Sequence, residues 1–349
     1  MSTASSPTCA VVRPRETYEE KQRLAFVAGG PRPYRAGEFG DRPSAAFPGT
    51  GLEALVDLAL AEDLTGGDVT TLATVPADAR AQAVIVAKEP GVLSGIEAAA
   101  FVFRRVDADV HFGVRAGDGA PLAAGAVVAT VAGPARSLLA AERVALNLVQ
   151  RLSGIATLTA RYVAALDGTG VQILDTRKTG PGLRVLEKAA VRHGGGRNHR
   201  SNLGAGVLIK DNHLAVVGGC GAERVRRAVE LARAGAPHTL RIEVEATTLE
   251  ELAGALEAGA DVVLLDNMDV ETLRRAVELA AGRALLEASG GITLETVRAV
   301  AETGVDLISV GALTHSAPAL DLSLEFDQRP SVPPRGPARD IGPTIHDVG

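Results

Sequence analysis

RIEVEATTLEELAGALEAGADVVLLDN, residues 241–267, reads as strand, helix and strand in one short span. RIEVEA and DVVLLDN are β-branched and apolar runs; LEELAGALEAG between them carries leucine and alanine at helical spacing and closes on a glycine. A strand, a crossing helix and a second strand form a unit of parallel sheet. The rhythm extends in both directions. QILDTR (172–177), GVLIKDN (206–212), ALLEASGG (284–291) and DLISVGA (306–312) are further strand-like runs. VRRAVELARAG (225–235), VETLRRAVELAAG (270–282) and LETVRAVAETG (294–304) are further amphipathic helices. With a short strand expected near Gly196 to His199, the count reaches about seven, against eight in a standard barrel. Residues 166–317 are therefore expected to form an incomplete α/β barrel.

Upstream the rhythm differs. LEALVDLALAE (52–62) has a helical period, AQAVIVAKEPGVLSG and GAVVATVAGPARSLLAAE look like strands with glycine turns, and a long helix is expected over roughly 137–165. Residues 49–165 read as an N-terminal mixed α/β domain of sandwich type, to which 318–328 return. Residues 1–48 and 329–349 are rich in Pro, Arg and Gly without a hydrophobic period, and are expected to be a disordered arm and a flexible tail.

The chain has 349 residues, 46% of them hydrophobic, and a net charge of -6. That charge offers no general attraction to nucleic acid or an anionic membrane, so any basic site must be local. No segment approaches the roughly 20 apolar residues of a membrane span. Two cysteines, Cys9 and Cys220, cannot build a disulfide framework, which fits a reducing cytoplasm.

The apolar strands end in ionic groups: Asp175, Arg177 and Lys178; Lys210 and Asp211; Glu243 and Glu245; Asp266; Glu287 with Ser289. A single strand-end acid can simply cap the next helix. Five charged termini on one rim point instead to a site at the end where strands exit toward helices. Glu243, taken as the alternating neighbour of Glu245, is expected to turn away. Lysine is scarce, only Lys21, Lys88, Lys178, Lys188 and Lys210, yet two of the five sit on this rim. A compact ammonium presses a point charge on a phosphate or ribosyl oxygen where a guanidinium fork does not fit. ASGGI (288–292) and SVGAL (309–313) lie in the last two strand-to-helix connections, the usual place for a phosphate in barrels. Neither a GxxxxGK[ST] loop nor a GxGxxG opening a βαβ unit occurs.

In order along the chain, EDLTGGDVTT, ERVALNLVQRLSGIAT, DTRKT, GGGRNHR, VLIKDNH, EVE, LLDN, SGG and SVGALTHS resemble the quinolinate phosphoribosyltransferase family over about residues 52–326. The resemblance implies transfer of phosphoribosyl from phosphoribosyl pyrophosphate to quinolinate with decarboxylation, giving nicotinate mononucleotide, pyrophosphate and carbon dioxide in NAD biosynthesis. It places Arg177, His199 and Arg200 around the quinolinate carboxylates, with Thr176 beside them and Arg143 reaching in from a second subunit. It gives Lys178 and Lys210 to the sugar-phosphate donor, and Glu245 and Asp266 to its ribose hydroxyls and to Mg2+. Ser289, Gly290, Gly291, Val310, Gly311 and Ala312 match the loops that hold the 5-phosphate. The assembly implied is a cytoplasmic homodimer with shared active sites, or a higher oligomer built on it.

Two stretches depart from the family pattern. HRSNLGAG (199–206) lacks an acidic residue before the VLIKDN strand, and His193 stands where relatives carry another residue. Other readings are a pyrophosphorylase of molybdate-transport type with a different acceptor, a generic phosphate-binding barrel, and a catalytically silent binding protein. The DTRKT and NHR motifs speak against the first. The presence of Lys178, Lys210, Glu245 and Asp266 speaks against the last.

Overall fold

The computed structural model describes residues 51–327; the expectations for the arm and the tail lie outside the described residues. The chain divides into two compact units. One contains Val56–Thr157 and residues 318–327, the other Leu158–Ala317 with residues 51–55. The boundary therefore falls inside the long helix, not at its end.

The first unit is built on an antiparallel sheet. Its strands β1 (Arg80–Ala87), β3 (His111–Val114), β5 (Val127–Pro134) and β12 (Leu322–Phe326) lie in the order β12-β1-β5-β3, and a two-residue pair, β2 (Gly91–Val92) with β4 (Pro121–Leu122), stands apart. β12 carries the chain back from the barrel, pairing Ala87 with Leu322 through Ala83 with Phe326. Helices α1 (Leu52–Leu64), α2 (Val69–Thr74) and α3 (Ile96–Val106) precede the 31-residue α4 (Ala135–Ala165). Along α4, Leu138, Ala141, Ala145, Val149, Leu152 and Ile155 recur every three or four residues and are buried, the stripe expected of a helix with one face in a core. Gly154 has a steric reason: a Cβ there would lie 1.9 Å from the carbonyl oxygen of Pro318, where the returning segment crosses the helix. Leu320 N–H then donates to Gln150 O at 2.9 Å.

The second unit is the barrel. β6 (Gln172–Leu174), β7 (Val207–Ile209), β8 (Ile242–Ala246), β9 (Val262–Asp266), β10 (Leu285–Ser289) and β11 (Leu307–Ser309) form a parallel sheet in the order β6-β11-β10-β9-β8-β7. Pairing of the first strand with the last is what curls this sheet toward closure. The strand expected near Gly196 to His199 is reduced to one bridge, Leu174 with Arg197. Arg197 exchanges two backbone bonds with β6 and its neighbours, to Ile173 O at 2.8 Å and from Asp175 N at 3.1 Å. The next available amide, His199 N–H, turns instead to the Asp175 carboxylate at 2.8 Å, so the ladder stops. Among the described residues no strand pairing joins this segment to β7, and the barrel stays incomplete.

Helices α5 (Arg184–His193), α6 (Asp211–Val217), α7 (Gly221–Gly235), α8 (Leu249–Glu257), α9 (Val270–Ala280), α10 (Val297–Ala301) and α11 (Ala312–His315) follow their strands. The helix expected over 294–304 is the short α10, because Thr293 and Thr296 tie the first turn into a local side-chain bond at 3.0 Å. All five residues of β8 are buried, as a parallel strand covered on both faces requires.

Candidate active site

The barrel holds a cavity of about 840 Å³ at the carboxyl ends of its strands. Strand register builds its wall in layers. Glu245, Leu264 and Glu287 pair across β8, β9 and β10, and Asp266, Ser289 and Ser309 form the next layer outward. The Ser309 hydroxyl donates to Ser289 Oγ at 3.0 Å. Every proposed site residue of the barrel lines this cavity: Thr176, Arg177 and Lys178 after β6, His199 and Arg200 on the bridging segment, Lys210 after β7, and Glu245 and Asp266 at the ends of β8 and β9. Ser289, Gly290 and Gly291 after β10 and Val310, Gly311 and Ala312 after β11 complete it. Arg143 lies on α4 in the other unit, its side chain 60% exposed and its guanidinium 3.9 Å from Glu142 Oε1.

One buried carboxylate joins the two basic motifs. Asp175 is fully buried and accepts from Lys188 Nζ, from Asn198 Nδ2 at 2.6 Å and from His199 N–H at 2.8 Å. Lys188 Nζ also donates to His199 O at 3.1 Å. Asp175, read from sequence as a rim charge, is thus an anchor beneath the rim: it pins the segment that carries His199 and Arg200 beside the one that carries Arg177. Burial lowers the pKa of Lys188, and Asp175 pulls it back upward.

The cations are crowded. Arg177 Nε is buried without a hydrogen-bond partner. Burial, and after it the Arg177 guanidinium, push the Arg200 pKa down, with Glu243 opposing. Like charges held together in a partly dry wall are a receptor for a multiply charged anion. Arg200 keeps its place by donating to Gly206 O at 3.2 Å, across the HRSNLGAG turn.

Lys210 Nζ is 2.8 Å from Glu245 Oε2, with 45% of the lysine side chain exposed and 8% of the glutamate's. Asp266 Oδ2 accepts from Asn267 Nδ2 at 2.7 Å. Two carboxylates opening into a polar cavity are the hard oxygen donors that suit magnesium. The glycine loops are sterically determined. Gly290 has φ +95°, and a Cβ would meet Asn267 Oδ1 at 2.2 Å. At Gly311 it would approach Lys178 Cδ to 3.1 Å, so that glycine leaves room for the lysine stem.

Glu243 does not turn away. Residues two apart in a strand share a face, and Glu243 lies on the same inward side as Glu245, with Oε2 3.0 Å from His199 Nε2. Burial opposes a charge on His199, but Glu243 and Glu287 outweigh it and raise its pKa. Sequence reasoning also missed Asn267, Thr293 and His315 as lining residues. Asn267, with φ 55°, stands directly after a strand-end acid, a position that could have flagged it; His315 lies within the SVGALTHS motif but was given no role.

Residues 68–153 match the N-terminal domain of quinolinate phosphoribosyl transferase and residues 155–325 its C-terminal domain. The chain is 45% identical over 274 residues to a probable carboxylating nicotinate-nucleotide pyrophosphorylase of Bacillus subtilis, covering 78% of this chain and 93% of the relative. The carboxylating nicotinate-nucleotide pyrophosphorylase of Mycobacterium leprae is 48% identical over 279 residues, covering 77% and 94%. The solved nicotinate-nucleotide pyrophosphorylase of Francisella tularensis superposes with a TM-score of 0.75 at 39% identity, covering 79% of this chain and 96% of that one. With both domains matched and relatives this similar over nearly their whole length, the chain belongs to the quinolinate phosphoribosyl transferase family.

Proposed function

We infer that the barrel cavity transfers phosphoribosyl from phosphoribosyl pyrophosphate to quinolinate with loss of carbon dioxide, the carboxylating nicotinate-nucleotide pyrophosphorylase reaction of NAD biosynthesis. The observation that carries this reading is the crowding of the Arg177 and Arg200 cations in a cavity that Lys210, Glu245 and Asp266 also line. One half suits a dicarboxylate, the other a ribosyl pyrophosphate. The overall charge of -6 is no obstacle, since the positive field is local.

Transfer builds positive character at the anomeric carbon as pyrophosphate departs, so the site works by position and charge. Arg177, His199 and Arg200 hold the acceptor carboxylates and set its ring nitrogen toward the sugar; Thr176 borders them. Lys178 and Lys210 face the donor's phosphates, and Glu245 and Asp266 its ribose hydroxyls. The 5-phosphate rests on Ser289, Gly290 and Gly291 and on the Val310, Gly311 and Ala312 turn. Glu245 and Asp266 would also hold Mg2+, which supplies charge neutralisation on the leaving pyrophosphate. Once the ring nitrogen is ribosylated, the cationic pyridinium accepts the electron pair left by departing carbon dioxide.

The test is acceptor choice. Initial rates with quinolinate and with nicotinate, each with phosphoribosyl pyrophosphate and magnesium, are expected to differ by at least a hundredfold, because a site built for two carboxylates leaves half-buried cations unpaired by one. Equal rates would overturn the acceptor assignment.

The working unit in this reading is a two-fold dimer in a reducing cytoplasm, with Arg143 completing the partner's acceptor site. Its guanidinium is largely exposed and only loosely paired, 3.9 Å from Glu142, which leaves it open to serve a second copy. Mixing inactive Arg143→Ala and Lys178→Ala proteins under subunit exchange is expected to restore activity, because each mixed dimer then has one intact site. Exchange without recovery would return Arg143 to its own barrel. No helix among the described residues is long and apolar enough to cross a membrane.

A further inference from the structure

The acceptor wall conceals a group of charges that the transfer chemistry leaves unused. The Glu287 side chain, on β10, is 1% exposed, and that of Glu243, one layer deeper on β8, is 9% exposed. Both close on one atom: His199 Nε2 lies 3.0 Å from Glu243 Oε2 and 3.6 Å from Glu287 Oε2. The other oxygen of each, Oε1, is buried without a hydrogen-bond partner. Two carboxylates in one dry space around a single imidazole hold more negative charge than the ring can balance. Either a cation or a proton must relieve it.

The His199 ring favours the proton. Arg200 N–H donates to Nδ1 at 2.7 Å, so Nδ1 carries the lone pair and the proton of the neutral ring sits on Nε2, facing Glu243. A metal would require that same Nε2 lone pair. A proton on Glu287 displaces nothing. The groups facing Glu287 are Glu243 from β8, His199 from the bridging segment, Ser309 from β11 and Lys210 beyond β7. Burial first, then Glu243, raise its pKa to about 7 against the pull of His199, Ser309 and Lys210. Lys188, bonded to His199 O at 3.1 Å, adds a positive charge near the ring.

We propose that Glu287 is a positioning residue of the acceptor site that works in its protonated form. Its neutral carboxyl leaves Glu243 as the single negative partner of His199, which fixes the ring beside Arg177 and Arg200. No second negative charge then stands behind the acceptor's carboxylates. The proposal rests on the reading of the acceptor as a pyridine dicarboxylate. Because the raised pKa favours the acid, Glu287 keeps its proton below about pH 7 and loses it above. Ionisation sets a buried anion against a dianion and weakens binding; by reciprocity, the dianion draws a proton onto Glu287 when it binds.

Calorimetry of quinolinate binding to the full chain, in pairs of buffers that differ in ionisation enthalpy, reads this directly. For the wild type we expect proton uptake on binding at about pH 8 and roughly tenfold weaker affinity at pH 8.5 than at 6.5, the equivalent of about one unit of linked pKa change. Glu287→Gln, which keeps the shape and offers an N–H in place of the acid O–H, should bind like the wild type at the lower pH, hold that affinity at the higher one, and take up no proton through this group. Glu287→Ala should bind more weakly at both. Binding by the wild type without proton uptake overturns the proposal alone, whether or not the variants fold. So does a Glu287→Gln protein that retains the wild-type uptake and pH dependence, or one as weak as Glu287→Ala at the lower pH. Stoichiometric zinc or manganese binding abolished by Glu287→Gln would make the cluster a cation site and also overturn it. Absence of quinolinate binding at every pH overturns the acceptor reading, and the proposal with it.

Discussion

Lys210→Ala is expected to lower kcat/KM by a hundredfold or more. The ammonium is carried at the end of β7 and bonded to Glu245 at 2.8 Å, so its approach to the cavity is fixed while almost half of the side chain remains open. In the proposed reaction it meets charge that grows as pyrophosphate leaves. Loss of one fixed donor to developing negative charge costs about 2.7–4 kcal/mol in comparable sites. The substitution also strips Glu245 of its cation. Lys210→Arg should recover little, because a forked guanidinium does not replace a point charge in a confined site. Steady-state kinetics with both substrates varied checks this, and near-normal turnover would remove Lys210 from the reaction.

Asp175→Ala should act through stability and acceptor binding together. Its partner Lys188 has a side chain only 5% exposed, so the substitution leaves a buried ammonium without its carboxylate. Breaking such a pair costs about 3–5 kcal/mol, a large share of the roughly 5–15 kcal/mol that holds a domain folded. The same change removes the acceptor for His199 N–H and Asn198 Nδ2, freeing the segment that carries His199 and Arg200. Urea unfolding is expected to show the loss. Adding Lys188→Met should restore part of the stability, since it removes the stranded charge, but not the KM for quinolinate, since the anchoring carboxylate is still missing. Recovery of both by the double variant would mean that Asp175 serves the fold alone.

The architecture was legible because apolar strands and amphipathic helices differ in period, and each strand here is too short to be mistaken for a helix. β8, α8 and β9 fall where RIEVEA, LEELAGALEAG and DVVLLDN read. The rim was legible for a related reason: Lys210, Glu245 and Asp266 interrupt or end apolar runs, and in a barrel such positions share one mouth. What escaped depended on contacts between distant segments. No local pattern indicates that Asp175 spends its oxygens on Lys188, Asn198 and His199, and that diversion ends the expected strand at Arg197. Glu243 was within reach, since a period of two puts it on the face of Glu245. Its meeting with Glu287 around His199 was not, because it requires the curvature of the sheet and a third segment.

The most direct measurement of the central claim is the product balance of the acceptor assay. The purified full chain receives quinolinate labelled in its 2-carboxylate, with phosphoribosyl pyrophosphate and magnesium. The account predicts nicotinate mononucleotide, pyrophosphate and labelled carbon dioxide in equal amounts. Pyrophosphate released without labelled carbon dioxide, or no consumption of quinolinate at all, would contradict it.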